Sequence, residues 1–519
     1  MTLLSAAGTP ITRRKALQYG GAAAIALSAS GTAMAAPKRG GKLRVGKAHG
    51  GTTDTLDPAT FENGFTISLT NSMHNYLTEV GPDGALRGEL AESWEASADA
   101  KTWTFKIRDA KFHDGRKVTA KDVIASLNHH RGEDSKSAAK PIVEPVTELK
   151  AAGDNAVVVT LKDGNADFPY IVSDYHLAIG PAEDDGTVDW TKGIGAGGYK
   201  LENFEPGVRA DFTRNDDYWK KDSCYFDSLE LLSIVDPVAR TNALVTGEVD
   251  VIDRVPLKTV KLLKRKPGIN ILSTNGTQHY TFPMDTRAAP FKDNNVRLAL
   301  KFAIDREELV KKILFGYGSV GNDHPIGRGQ PFFAKDLKQR SYDPDKSKFH
   351  LKKAGMDKLT VPLSVADAAF EGAGDAGALF QASAAKAGIE IDLTREPNDG
   401  YWSNVWMKKP FCACYWSGRP TSDWMFSTAY AEGVPWNDTF WSHDRFNELL
   451  KTARSELDQD NRREMYAEMQ EICSNDGGTI TPMFAQYVFA TSDKVAQGET
   501  MGSNWDLDGE RYMERWWFA

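Results

Sequence analysis

The sequence predicts an α/β protein built from at least two domains, and three observations lead to that expectation. The chain has 519 residues, more than a single hydrophobic core usually organises. Hydrophobic residues make up 41% and charged residues 26%, which is the balance of a globular protein. Strand-like alternation and helix-like periodicity are interspersed along the chain without a fixed repeat, which favours a mixed α/β fold.

The first 35 residues predict an export signal rather than a folded element. Residues 1–35 contain Arg13-Arg14-Lys15 and no acidic residue, then a short apolar run and the small-x-small pattern Ala33-Met34-Ala35. Segment 12–17 resembles a twin-arginine signal, and an ordinary secretory signal is the alternative. Both predict a mature protein outside the cytoplasm. Without a cysteine at the cut, a soluble periplasmic protein is favoured over a lipoprotein.

Alternating strands and helices are predicted in the first part of the remaining chain. Residues 41–46 read as a strand, 65–77 as a helix and 103–107 as a strand with alternating apolar residues. Thr119, with Asp122 three residues later, predicts a capped helix start. These elements follow one another at the spacing of a compact α/β domain.

Helical patterns dominate the later part of the chain. A short helix from 240 is expected to stop at Gly247. The clearest amphipathic helix covers 294–304, and Asp305 should cap a second helix that runs to about Leu314. Two more helices are predicted, at 444–457 and 461–473.

Charge and composition exclude some classes of function. Lys and Arg total 63 against 71 Asp and Glu, a net charge of −8, so nothing favours nucleic-acid binding. The four cysteines are too few for a disulfide scaffold; one long-range disulfide and buried free thiols both stay open. The 13 Trp, 16 Tyr and 24 Phe suit pockets that grip ligands through planar apolar surfaces.

No motif indicates catalysis, a cofactor or a metal ion. Gly316-Tyr317-Gly318-Ser319-Val320-Gly321 matches G-x-G-x-x-G but follows a predicted helix, whereas a dinucleotide site requires a preceding strand. His129-His130 are adjacent on a predicted helix and point about 100° apart, so they cannot readily share a metal. Asp506-Leu507-Asp508-Gly509 lacks the remaining calcium ligands. We therefore expect no enzyme, no cofactor and no metal site.

Several segments, taken in order, resemble the family of extracytoplasmic solute-binding proteins that includes dipeptide- and oligopeptide-binding proteins of ABC importers. The resemblance covers residues 38–519. The segments that carry it are 40–45, Leu56-Asp57-Pro58, 90–95, 103–108, 111–115, 118–123, 243–250, 296–300, 303–306 and Tyr342-Asp343-Pro344.

The resemblance implies a two-lobed periplasmic binding protein of type II, hinged by two strands, in which ligand binding selects the closed state. Lobe one would hold 36–272 plus 489–519, with about 80–190 as the extra subdomain of larger members. Lobe two would hold 276–485. The hinges would fall near Ser273-Thr274-Asn275 and Tyr487-Val488-Phe489.

Arg419 is the residue for which the resemblance is most informative. Peptide-binding relatives carry Trp-x-x-Asp here, and that Asp pairs with the ligand's α-amino group; Trp416 keeps the register while Arg419 replaces the Asp. An unpaired guanidinium matches a carboxylate or phosphate, so Arg419 is expected to bind an acidic group of the ligand. Two alternatives stay open: Asp423 binds the amine, or Arg419 pairs internally with Asp423.

Further cleft positions follow from the resemblance or from aromatic-polar clustering near the hinge and Trp416. They are Glu62, Asn63, Phe65, His279, Tyr280, Tyr401, Trp402, Trp436 and Asn437.

The implied function is the periplasmic substrate-binding protein of an ABC importer, working as a monomer with an inner-membrane permease and without nucleic acid. The ligand would be a small peptide or a peptide-like acidic solute, such as an opine-like conjugate. A ligand-presenting sensor for a chemoreceptor and a periplasmic hydrolase are the alternatives.

Overall fold

The computed structural model describes residues 37–419 and 421–519. The predicted export signal at 1–35 lies outside the described residues. Among the helices in the described part of the chain, none combines the length and the apolar character that a membrane crossing requires.

The described chain alternates strands and helices throughout. The strands are β1 Lys42–Lys47, β2 Thr78–Val80, β3 Leu86–Gly88, β4 Ala91–Ala96, β5 Thr102–Ile107, β6 Val146–Ala151, β7 Ala156–Leu161, β8 Tyr199–Glu205, β9 Arg209–Arg214, β10 Ser228–Ser233, β11 Val251–Ile252, β12 Ile269–Pro283, β13 Gly318–Val320, β14 Leu359–Val365, β15 Ile389–Arg395, β16 Cys414–Trp416, β17 Thr479–Ser492, β18 Val495–Ala496 and β19 Trp517–Phe518. The helices are α1 Gly64–Met73, α2 Ala120–His129, α3 Lys140–Val143, α4 Phe168–Ile171, α5 Pro237–Thr246, α6 Val260–Leu263, α7 Asn294–Ala303, α8 Arg306–Lys312, α9 Pro344–Lys353, α10 Ala373–Ala385, α11 Tyr401–Asn404, α12 Ser422–Ala429, α13 Asp444–Ser455, α14 Gln459–Asp476, α15 Asp506–Glu510 and α16 Tyr512–Arg515, with 3-10 turns at Pro58–Thr60 and Trp190–Lys192.

A nine-stranded mixed sheet runs through the molecule, in the order β16-β12-β17-β11-β1-β10-β9-β8, with β13 added beside β17. Strand β1 is parallel to β10 and β11, and the other pairs are antiparallel. The mixture of parallel and antiparallel pairing with interspersed helices is the α/β architecture that the sequence predicts.

Strands β12 and β17 form the longest ladder of this sheet; β11 pairs with one end of the ladder, and β13 and β16 pair with the other. Near β11 they pair from Ile269 with Ser492, and at the far end from Pro283 with Thr479. The ladder is irregular between Asn275 and His279. A side chain at Gly276 would meet the carbonyl of Ala485 at 2.2 Å, so only glycine fits there. The irregularity directly follows the first predicted hinge, whose residues pair with Gln486–Val488; the hinge and lobe boundaries themselves stay predictions.

A separate four-stranded antiparallel sheet, β4-β5-β7-β6, has its own hydrophobic core within residues 77–196. Helix α2 packs against β6 and β7. The helix begins at the predicted position because Thr119 and Asp122 form a reciprocal capping box. This sheet lies inside the range for which the extra subdomain was predicted.

The C-terminal predicted lobe adds a parallel β14-α10-β15 unit and a helical layer. Helices α7 and α8 confirm the two helices predicted at 294–304 and after Asp305. Helices α13 and α14 confirm those predicted at 444–457 and 461–473. The helix predicted at 65–77 is shorter, because the backbone becomes extended at His74 (φ −117°, ψ 161°) and Asn75 bridges to Ile179. The four cysteines are buried free thiols, which closes the question of a disulfide.

The C-terminal tail returns to β1 through a buried ion cluster. Lys47 is fully buried, and its Nζ lies 2.8 Å from Glu510 and 3.1 Å from Asp253. Leu507, Asp508 and Glu510 adopt positive φ values of 45°, 61° and 54°, a left-handed turn that ordinary residues avoid. The ion pair of Lys47 with Glu510 therefore anchors this unfavourable turn to β1.

We predict that Lys47→Met destabilises the protein by about 3–5 kcal/mol, because it leaves buried carboxylates without their counter-ion. Urea unfolding measures the change. The matched control is Lys42→Met, whose ion pair with Glu230 involves a half-exposed lysine and should contribute less than about 1 kcal/mol. Equal shifts in the two variants would contradict the prediction.

Candidate functional site

Arg419 is carried to the boundary between the predicted lobes by the turn after β16. Strand β16 pairs with β12, with Trp416 opposite His279. The turn then passes very close to β12, since a Cβ on Gly418 would meet the Thr277 side chain at 2.0 Å. This close approach, which glycine permits, sets where the next side chain lies.

A small cavity of about 40 Å³ lies where the two predicted lobes meet, and Arg419 is part of its wall. Predicted lobe one contributes Val80, Gly84, Tyr170, Ser173, Asp174, Ser503, Asn504 and Trp505, and predicted lobe two contributes Thr277, Gly329, Gln330, Pro331, Gly418 and Arg419. Such a volume has room for an ordered water but not for a peptide. A ligand can enter only if the two sides move apart.

Arg419 has no acidic partner among the described residues. Its guanidinium donates to the carbonyl of Ser417 at 2.9 Å, and its own carbonyl accepts from Gln330 at 2.8 Å. Burial lowers the pKa of Arg419, while the nearby hydroxyl of Tyr175 acts in the opposite direction. An arginine stays charged under any ordinary condition. The cavity wall therefore carries a partly buried positive charge that the protein does not neutralise.

Next to Arg419 lies a second cavity of about 250 Å³, which we call the aromatic chamber. Its walls are the rings of Trp402, Trp406, Tyr415, Trp416 and Trp436, together with Cys414, Ser417 and Arg419. Arg419 thus lines both the chamber and the small cavity.

Asp438 supports the inner rings of the chamber. Its carboxylate accepts a hydrogen bond from the Trp406 indole at 3.1 Å. Burial raises the pKa of Asp438 to about 6, and hydrogen bonds from Trp406, Cys414 and Trp416 limit that rise. The sequence placed the cluster Trp436-Asn437-Asp438 at the cleft, but nothing in the local pattern shows which indoles converge on this carboxylate.

Asp423 does not pair with Arg419. It is buried at the start of α12 and forms an ion pair with Arg454 at 3.2 Å. Burial raises the pKa of Asp423 to about 6, because the favourable field of Arg454 does not fully offset desolvation. The internal Arg419–Asp423 pair is therefore absent from the described contacts, and Asp423 already holds a cation.

A buried ion pair crosses the predicted lobe boundary close to Asp423. Arg462 of α14 donates to Asp167 at the start of α4, and their side chains are 1% and 4% exposed. Beside the pair, the backbone N–H of Ala166 donates to the carbonyl of Arg454 at 2.7 Å. The segment before α4 is thereby tied to the helical layer of the C-terminal region.

Four of the predicted cleft residues serve the fold instead. Asn63 caps α1 by accepting from the backbone N–H groups of Phe65 and Thr66, and Phe65 is fully buried in the core. The Tyr401 hydroxyl donates to the Ala413 carbonyl at 2.8 Å. Asn437 is also buried and donates to two backbone carbonyls.

Three others lie near the site without lining either cavity. His279 is buried beside Phe484, and burial lowers its pKa to about 4. Tyr280 stacks on Phe370 at 4.3 Å. Glu62 is exposed, and its charge raises the pKa of Tyr175, the same hydroxyl that Arg419 affects in the opposite sense.

The structure brings Arg419, Trp402, Trp416 and Trp436 together and adds residues that the sequence did not predict. Trp406 stands four positions after Trp402, a spacing that could have been noticed. Trp505 comes from the C-terminal tail, and no local signal connects it to this site.

The described residues contain one carboxylate cluster with the spacing of a metal site. Glu79, Glu89 and Glu514 have oxygens within 4.8 Å of one another. However, Arg511 lies 2.6 Å from Glu89, and Lys220 lies 2.9 Å from Glu514. Two cations already compensate these carboxylates, so the cluster works as an internal ion network.

Comparison with known proteins identifies a family. The model of "Bacterial extracellular solute-binding proteins, family 5 Middle" matches residues 85–438. The dipeptide-binding protein of Escherichia coli K12 is 26% identical over 468 residues, covering 81% of this chain and 85% of the relative. The glutathione-binding protein GsiB of Pectobacterium atrosepticum is 24% identical over 463 residues, covering 86% and 90%.

Solved structures share the fold. HbpA2 from Haemophilus parasuis superimposes with a TM-score of 0.80 at 21% identity, covering 89% of this chain and 98% of its own. AgaA in complex with agropinic acid, from A. tumefaciens R10, superimposes with a TM-score of 0.69 at 24% identity, covering 92% of this chain and 99% of its own. Both likenesses extend over nearly the whole described chain.

We predict that Asp438→Asn removes part of the pH dependence of stability. With its folded pKa raised to about 6, wild-type Asp438 binds a proton more readily when folded than when unfolded. The free energy of unfolding should therefore fall as pH rises from about 4 to about 6, by on the order of 3 kcal/mol, and stay low above that window. Urea unfolding at pH 4.5, 5.5 and 7 measures it.

The variant should lack this fall. Its free energy of unfolding, compared with that of the wild type, should therefore be more favourable at pH 7 than at pH 4.5. Asp345→Asn, at a position 95% exposed, is the control and should follow the wild type. Parallel pH curves for wild type and Asp438→Asn would refute the assignment.

Proposed function

The chain belongs to family 5 of the bacterial extracellular solute-binding proteins, and from that premise we propose that it captures a small acidic peptide or peptide-like solute in the periplasm for an ABC importer. The family is made of solute-binding proteins. The export route, the permease partner, the monomeric state and the acidic nature of the solute belong to the proposal.

The observation that carries the proposal is the uncompensated guanidinium of Arg419. Lys47, Arg462 and Arg511 are deeply buried and have carboxylate partners, whereas the partly buried Arg419 faces two cavities without one. Removing a charge from water without a partner is costly. A carboxylate or phosphate on the solute would supply the missing partner through charge-assisted hydrogen bonds.

The names of the compared proteins support a small solute of this kind. Relatives are named for binding dipeptides and glutathione, and one solved neighbour holds agropinic acid. An acidic, peptide-like or opine-like compound would satisfy Arg419 and suits a site between two lobes.

Binding without chemical conversion is part of the proposal. The irregular β12–β17 ladder offers the place where the lobes would turn, and the small cavity would widen as they part. Closure over the solute then supplies the shape that a membrane partner recognises. No bond of the solute needs to break.

We predict that Arg419→Gln weakens binding of the natural solute by about 1.5–3 kcal/mol, the contribution of a hydrogen bond to a charged group. The solute is identified by native mass spectrometry of protein purified from its host, and its affinity is measured by calorimetry. Arg265→Gln, at an exposed position, is the control. A neutral solute, unchanged affinity, or a solute recovered with altered mass after incubation would overturn the proposal.

We also predict that Arg462→Gln expands the solute-free protein, because it breaks the buried pair with Asp167 across the predicted lobe boundary. Small-angle X-ray scattering should show a larger radius of gyration than for the wild type. Arg463→Gln is the matched control, since its neighbouring pair with Asp460 is exposed. An unchanged radius in Arg462→Gln would mean that the pair does not restrain the two lobes.

A further inference from the structure

We propose that the solute carries a flat apolar ring close to its acidic group, and that the aromatic chamber receives this ring while Arg419 binds the acid. The inference rests on the proposed function and narrows its substrate class to ring-bearing acids. It is carried by the arrangement of the five rings and by the position of Arg419 beside them.

The five rings form a continuous chain of edge contacts. Tyr415 lies 5.7 Å from Trp402, and Trp402 lies 5.8 Å from Trp406. Trp406 then lies 6.4 Å from Trp416, which lies 6.1 Å from Trp436. The interplanar angles run from 51° to 80°, so neighbouring rings are tilted or perpendicular. These are the usual geometries of aromatic pairs, and the space beside the rings is shown by the cavity that they line.

The outer members of the chamber are left open to solvent. Trp402 is 41% exposed and Trp436 is 49% exposed, whereas Trp416 is 6% exposed. Within the described residues, neither outer indole N–H donates to a protein acceptor, while the inner Trp406 is held by Asp438 at 3.1 Å. Large apolar side chains that stay exposed around a cavity favour an apolar occupant.

The size of the chamber selects a small planar group. Its volume is about 250 Å³, and an apolar cavity of about 150 Å³ is already sufficient for benzene. One ring or two fused rings would therefore fit, and a bulky protein segment would not. An aromatic ring inserted among perpendicular rings can make the edge-to-face contacts that stabilise aromatic pairs.

The position of Arg419 favours a solute that carries the ring and the acid in one small molecule. Arg419 lines the chamber on one side and the small cavity on the other. A carboxylate paired with the guanidinium would hold an attached ring at the chamber mouth. The aromatic chamber and the guanidinium of Arg419 thus form one composite site.

The test uses four probes that separate the two features. N-benzoylglycine has the ring and the acid, N-benzoylglycinamide has only the ring, N-acetylglycine has only the acid, and N-acetylglycinamide has neither. Calorimetry and the change in tryptophan fluorescence measure their binding to the wild type. We expect N-benzoylglycine to bind at least about tenfold more tightly than each of the other three.

Two variants assign the preference to the proposed groups. Trp436→Ala should weaken the binding of N-benzoylglycine about tenfold and change the affinity for N-acetylglycine by less than about twofold. Trp436→Phe should restore most of the lost affinity. Arg419→Gln should abolish the advantage of N-benzoylglycine over its amide. Phe349→Ala, another exposed aromatic residue at 53%, is the control and should change nothing.

The outcomes separate this inference from the proposed function. Failure of N-benzoylglycine to bind at millimolar concentration, or equal binding of N-acetylglycine, overturns the ring assignment. Recovery of a natural acidic solute without a ring also overturns it but leaves the proposed function standing. Absence of any solute that binds and compacts the protein overturns the proposed function itself.

Discussion

The antiparallel pairing of β12 with β17 is the constraint on which the rest of the structure depends. One end of this two-stranded ladder pairs with β11 and the other end with β16, so the two regions are positioned relative to each other through it. Strand β16 attaches to β12, and the turn after it places Arg419. The irregularity between Asn275 and His279 interrupts the ladder midway. The same feature therefore connects the two sides, and we propose that they bend there.

Several buried charges of the fold are paired with an opposite charge, whereas Arg419 of the candidate site is not. Buried ions such as Lys47, Arg462 and Arg511 have partners within hydrogen-bonding distance. These networks hold remote parts of the chain together, including a left-handed turn near the C-terminus that ordinary residues resist. The guanidinium of Arg419 lines two cavities and meets a backbone carbonyl but no carboxylate. We propose that this charge selects the ligand.

The prediction of local elements succeeded where the signal was short-range. The capping box at Thr119 and Asp122 located α2, and Gly247 ended α5 in the left-handed conformation. Within the site the same reasoning was less successful. Asn63 is the N-cap of α1, and the Tyr401 hydroxyl donates to a buried carbonyl. Polar and aromatic residues near a cleft often make structural contacts of this kind instead of binding a ligand. Trp505 was missed, and the partners of Asp438 were not foreseen, because the contacting residues come from distant parts of the chain.

The sequence by itself determined the α/β class, the location of the helices with clear caps or periodicity, and the presence of arginine at position 419, since periodicity, caps and motif register are properties of neighbouring residues. Only the tertiary structure decided that Asp423 pairs with Arg454, that four tryptophans and a tyrosine enclose one chamber, and that Arg419 stands beside it without a counter-ion. Those outcomes depend on how β16, the segment around Trp436 and helix α13 pack, and packing brings together residues whose spacing along the chain carries no such information.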